Sequence, residues 1–174
     1  MTSARLMPTS DIDFHFLAKS QLSRSKTYVL AFRDHGREPA DALRHPRIQA
    51  SLIIAADDEE HGAKALSPAD ARLAASFVRN VACADTYDDI DLIVTCPGGI
   101  GRSAGAYAAI LCASGQVNDA ERAVFSNPRM CPNRRVFDML YELLFDEESG
   151  IEAVDADALF EKNRKAFEAA QEDE

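Results

Sequence analysis

The sequence predicts an α/β domain built on a central, mostly parallel sheet flanked by helices. Three observations carry that expectation. Short, continuous apolar runs with polar ends, TYVLAF at 27–32, ASLIIA at 50–55 and DLIVTC at 91–96, have the length of strands and the unbroken hydrophobicity of strands covered on both faces. Helical patterns fall between and after these runs, the alternation that produces parallel βαβ layers. A chain of 174 residues, 47% hydrophobic and 28% charged, buries about two thirds of its unfolded surface and needs no disulfide or metal to hold a core. The economical count is one domain over 1–174, with 155–174 as a C-terminal helical extension.

Each element has a local reason. Strands are expected at Asp13–Lys19, Thr27–Phe32, Ala50–Ala55 and Asp91–Cys96, and the polar stretch Arg33–Arg47 reads as a long surface connection. Ser67-Pro68-Ala69-Asp70 opens a helix: Ser67 caps, Pro68 fits the first helical position, and Asp70 supplies the carboxylate three residues on. That helix runs to about Cys83. After Cys96 the small and apolar residues of SAGAYAAILCA give a buried helix. Asn118 or Asp119 starts a short one, and Pro132 opens another that reaches Leu144. From Asp155 to Glu174, Leu159, Ala166, Phe167 and Ala170 recur at helical spacing among charges, the pattern of a docking helix with an acidic tail.

Charge and cysteine usage narrow the function classes. Nineteen Lys and Arg against 29 Asp and Glu leave a net charge of −10, which repels nucleic acid and anionic lipid at long range. Neither a nucleic-acid partner nor a membrane is expected, since no apolar run approaches the roughly 18 to 20 residues of a span and the N-terminal residues lack a signal-peptide core. The expected location is cytoplasmic. Cys83, Cys96, Cys112 and Cys131 form no CxxC pair or Cys/His ligand spacing, so no metal and no cofactor is expected. Cys112 reads as a small core residue, and the four histidines as structural ones.

Chemistry concentrates in residues 91–110, DLIVTCPGGIGRSAGAYAAI: a strand, a glycine-rich turn and a helix. Gly98, Gly99 and Gly101 allow successive backbone N–H groups, with that of Ile100, to face one concavity, and the helix start adds the positive end of its dipole. A strongly acidic chain thus carries a local anion cradle. Cys96 stands at its start and Arg102 six residues later, followed by Ser103. Amides and a guanidinium beside a thiol favour the nucleophilic thiolate. Arg102 presents a planar fork for phosphoryl oxygens, and Ser103 a hydroxyl for the sulfur.

This Cys-x5-Arg-Ser turn after a buried strand resembles the signature loop of the cysteine-dependent protein tyrosine and dual-specificity phosphatases. The order ASLIIAADD, the Ser67–Cys83 helix, VTCPGGIGRSAG and PNRRVFDMLYELL is similar to that of small prokaryotic members, from about Asp13 to Leu144. The resemblance implies a protein tyrosine phosphatase-like fold and metal-independent hydrolysis of a phosphomonoester, on a phosphorylated protein or a small molecule, through a cysteinyl-phosphate. It also implies a general acid upstream. Asp57 and Asp58, at the end of ASLIIA, are the candidates, with Asp58 preferred as the residue one step further from the strand. Three departures stand out: Thr95 replaces the usual His, Pro97 removes one amide from the cradle, and no downstream Gln positions hydrolytic water, a role for which Asn133 is the substitute. The alternative is a catalytically inactive phosphate-binding module that keeps Cys96 and Arg102. VTCPGGIG is also similar to the dinucleotide turn of short-chain dehydrogenases, but no Tyr-x-x-x-Lys accompanies it.

Overall fold

The computed structural model describes residues 5–10, 26–38, 41–46, 48–83 and 90–172. Four strands, β1 (Arg5–Ser10), β2 (Lys26–Arg33), β3 (Ile48–Ala55) and β4 (Ile90–Cys96), form one sheet in the order β1-β4-β2-β3. Every pairing among them is parallel. The register sets Ala31 beside Thr95 and Arg33 beside Ala55, so the carboxyl ends of β2, β3 and β4 share one edge. In an open parallel sheet, that edge is where ligands bind.

Among the described residues five helices accompany the sheet: α1 (Pro68–Cys83), α2 (Arg102–Ala113), α3 (Val117–Ala120, continuing into a π turn at Glu121–Phe125), α4 (Arg134–Leu144) and α5 (Ala156–Glu172). The start of α1 is the capping box expected of Ser67 and Asp70. The Ser67 hydroxyl donates to Asp70 Oδ2 at 2.6 Å, and the Asp70 amide donates back to Ser67 Oγ at 3.2 Å.

Side-chain alternation along the central strands builds two apolar layers. Leu30, Phe32, Leu92, Val94 and Cys96 face the helical layer with Ile54, meeting Ala71, Ala74 and Val78 of α1 and Ala108 and Leu111 of α2. Val29, Ala31 and Ile93 point the other way and pack with Leu43, which lies in a 3-10 turn at Asp41–Arg44. The connection between β2 and β3 is therefore not wholly a surface loop, because Leu43 anchors it. Below the sheet, Phe125, Phe137 and Phe160 meet edge to face at centroid distances of 5.3 to 5.9 Å. This cluster, with buried Leu159, docks the first half of α5. The Asn163 amide closes the contact by donating to the carbonyls of Val124 and Met130.

Several expectations change. The strand expected at Asp13–Lys19 lies outside the described residues, whereas Arg5–Ser10 forms a strand without the alternating signal and with a proline inside it. Pro8 is tolerated because, among the described residues, β1 pairs on one side only, at the sheet edge. The run ASLIIA is not covered on both faces: among the described residues β3 is the opposite edge, and Ile53 is 40% exposed. Beyond Asn163, α5 buries no further residue, and Phe167 faces solvent.

Candidate active site

Three strand ends deliver the site. β4 ends at Cys96, and the chain then turns through Pro97–Gly101 into α2, whose first residues are Arg102 and Ser103. β2 ends at Arg33 and hands over to Asp34, while β3 ends at Ala55, just before Ala56, Asp57 and Asp58. Because the sheet is parallel, residues far apart in sequence meet at one edge.

Cys96 lies at the base of the turn with 1% of its surface exposed. The Gly99 amide donates to its Sγ at 3.2 Å, and the Ser103 hydroxyl lies 3.2 Å from the same sulfur. These two contacts fix the position of the sulfur within the turn. Gly98 and Ile100 form the exposed crest of the turn, and Gly101 is buried beneath it.

Arg102 is almost wholly enclosed. One terminal nitrogen donates to the Ala56 carbonyl and the other pairs with Asp34 Oδ1 at 2.8 Å. Its Nε is buried without a hydrogen-bond partner, 4.0 Å from Asp58 Oδ2. A guanidinium carries five N–H donors, so these anchors hold its plane and leave donors for a ligand. A buried N–H without a partner costs about 1–3 kcal/mol, a cost that an incoming anion would remove.

The two candidate acids occupy different surroundings. Asp57 Oδ1 accepts from the His35 amide at 2.7 Å and lies 3.1 Å from His35 Nδ1, with Lys64 at 3.9 Å from the other oxygen. The His35 backbone amide, aided by the His35 ring and Lys64, holds the Asp57 carboxyl below its ordinary value against a smaller opposing effect of burial. Asp58 instead leans over the cradle. A Cβ on Gly101 would collide with its carboxylate, so glycine leaves the space that the Asp58 side chain occupies here. The carboxamide of Asn133 donates to Asp58 Oδ1 at 2.9 Å.

Asn133 also ties the turn to α4. Its backbone amide donates to the Gly101 carbonyl at 3.1 Å, as the Cys131 amide does to the Ile100 carbonyl. Its side-chain oxygen accepts from the Val136 amide and so caps α4. Arg134 and Arg135, at the start of α4, are engaged within the protein: Arg134 with Asp138 and Asp157, Arg135 with the carbonyls of Leu66 and Glu60.

All the expected site residues, Cys96, Gly98, Gly99, Ile100, Gly101, Arg102, Ser103, Asp57 and Asp58, thus lie along this one edge of the sheet or in the turns that leave it. Sequence reasoning missed Asp34 and His35. Their signal was the position directly after TYVLAFR, equivalent in a parallel sheet to that of the Asp57-Asp58 pair after ASLIIA. Cys112 is buried in α2, where burial, reinforced by the charge of Glu121, pushes its thiol up to about 12. Among the described residues no group of three or more His, Cys, Asp or Glu is placed to hold a metal ion, and no helix is long and apolar enough to cross a membrane.

No family model and no curated protein matches this chain. Among solved structures it is similar to human DUSP28, at 15% sequence identity and a TM-score of 0.44, covering 99% of this chain and 97% of that one. It is also similar to a single-residue variant of human DUSP28, at 15% identity and a TM-score of 0.39, covering 100% and 99%.

Proposed function

We propose that the protein hydrolyses phosphomonoesters through a cysteinyl-phosphate intermediate, with phosphotyrosine or another phosphorylated protein side chain as the substrate class. One observation carries the reading: a buried thiol accepts from an amide and lies beside a hydroxyl, both at 3.2 Å, in a turn whose arginine keeps a buried Nε without a hydrogen bond. Nucleophile and oxyanion donors in one cradle are what in-line phosphoryl transfer requires.

In the first step Cys96 Sγ attacks phosphorus, the S–P bond forms and the P–O bond to the leaving group breaks. Arg102 and the amides of residues 98–102 hold the equatorial oxygens while Asp58 gives its proton to the departing oxygen. In the second step the Asp58 carboxylate takes a proton from water. That water attacks phosphorus, the S–P bond breaks, and the Ser103 hydroxyl stabilises the returning thiolate. Asp58 is favoured over Asp57 because it overhangs Gly101, whereas Asp57 is engaged by His35. Ile100, 46% exposed on the crest of the cradle, offers apolar contact to an aromatic leaving group.

The test is hydrolysis of para-nitrophenyl phosphate in EDTA and fresh reductant. Wild type turns over and Cys96→Ser and Arg102→Ala do not; on phenyl phosphate, whose leaving group needs protonation, Asp58→Asn falls by about 10²-fold or more while Asp57→Asn falls far less. Arg102-dependent binding of a phosphotyrosine ligand without any turnover would replace this reading with that of an inactive phosphate-binding module.

A further inference from the structure

We infer that Asn133 is the positioning residue for the general acid: it holds Asp58 Oδ1 and thereby makes Oδ2 the oxygen that exchanges the proton with the leaving group and with water. The inference rests on the assignment of Asp58 under the proposed function, and it gives Asn133 a different role from that of a water-positioning residue.

The orientation of the Asn133 carboxamide follows from its partners. Its Oδ1 accepts from the Val136 amide at 3.0 Å, a group that only donates, so Nδ2 must be the end that faces Asp58. That end is itself only a donor. In a protonated carboxyl the carbonyl oxygen is a better acceptor than the hydroxyl oxygen, so the N–H received at 2.9 Å favours Oδ1 as the carbonyl end. That leaves Oδ2, the oxygen 4.0 Å from Arg102 Nε, as the one free to exchange a proton with a bound ester or water. Asn133 is 6% exposed, so no solvent competes freely for its amide.

The rest of the α4 start reinforces the arrangement. The Arg134 amide donates to Glu60 Oε1 at 3.2 Å, and Arg135 donates to the Leu66 carbonyl at 2.8 Å and to the Glu60 carbonyl at 3.3 Å. Asn133 itself reaches the cradle through the Gly101 carbonyl. One residue thus links the acid, the cradle and the helix cap, and the loop bearing Asp58 is held by α4 at several points.

The variants Asn133→Ser and Asn133→Asp both retain a side-chain oxygen able to cap α4 and lose the carboxamide donor to Asp58, since the aspartate side chain has no N–H and the serine hydroxyl is one bond shorter. They are compared with wild type, Cys96→Ser and Asp58→Ala on para-nitrophenyl phosphate, whose leaving group needs little protonation, and on phenyl phosphate, whose leaving group needs more. For both Asn133 variants the expected result is a fall in kcat/KM, which reports the leaving-group step, of about tenfold on phenyl phosphate and under about threefold on para-nitrophenyl phosphate. In the Asp58→Ala background, Asn133→Ser should add no further loss on either substrate. Equal losses on the two substrates, or a loss that multiplies with that of Asp58→Ala, overturns the inference while leaving the phosphatase reading intact. Absence of wild-type turnover, turnover by Cys96→Ser, or an Asp58→Ala variant indifferent to the leaving group defeats the proposed function, and this inference with it.

Discussion

Adding a single methyl group at Gly105 separates the architecture of the site from the stability of the fold. Gly105 lies in the first turn of α2, where the start of α4 crosses it. A Cβ there would stand 2.5 Å from the Asn133 carbonyl oxygen and 3.3 Å from the Asn133 nitrogen. Ordinary contact with that oxygen begins at 3.4 Å, so in Gly105→Ala the α4 start has to retreat by about 0.9 Å. Such a retreat stretches the 3.1 Å bond from the Asn133 amide to the Gly101 carbonyl beyond hydrogen-bond range and carries the carboxamide away from Asp58. Overpacking costs about 1–3 kcal/mol, but alanine regains about 1 kcal/mol of helix propensity over glycine. The net loss of stability is about 0–2 kcal/mol. Catalysis is more sensitive to position, and a displacement near 1 Å lowers turnover by about 10²-fold. The assay pairs kcat on phenyl phosphate, the substrate that depends on the positioned acid, with a thermal melt. A large loss of kcat with a small change in Tm is expected; wild-type kcat in a well-folded variant would refute the reasoning.

Other consequences are equally direct. Phe137 is fully buried among Phe125, Tyr141 and Phe160, so Phe137→Ala should cost about 3–5 kcal/mol and lower Tm by about 10 °C or more, read by calorimetry. Asp34→Asn removes the charged anchor of Arg102 and with it a negative charge that opposes phosphate; kcat should fall several-fold while KM does not rise, and a raised KM at unchanged kcat would contradict this. The Cys112 thiol is raised to about 12, chiefly by burial. Its folded value lies above the unfolded one of about 8.5, so its contribution to stability is complete below about pH 8.5 and is lost as pH rises toward 12. Chemical denaturation between pH 8 and 11 should therefore show a shallower alkaline decline for Cys112→Ala than for wild type.

What was readable in the sequence depended on how local its cause was. The cap of α1 involves residues three apart, and Ser67, Pro68 and Asp70 announce it before any tertiary contact forms. The turn from Cys96 to Ser103 is likewise written into one short segment, where glycines, Arg102 and the flanking strand and helix stand side by side. The partners of that turn are not local. Asn133 meets Asp58 across 75 residues and His35 meets Asp57 across 22, and only the parallel order β4-β2-β3 brings Asp34, Asp57, Asp58 and Cys96 to one edge. The same nonlocality explains the edge strands. Nothing within ASLIIA states that β3 lacks a neighbour on one side, and RLMPTS, interrupted by Pro8, has no strand signal apart from its register with Asp91–Cys96.

The cysteinyl-phosphate is the central claim, and trapping it tests that claim most directly. Wild-type protein mixed with para-nitrophenyl phosphate in EDTA, quenched in acid within milliseconds and digested, should yield the Cys96 peptide heavier by one phosphoryl group. Asp58→Ala should accumulate more of it when the second step is slowed, and Cys96→Ser should yield no labelled thiol. Turnover by wild type with phosphate absent from Cys96 at every quench time would contradict the account.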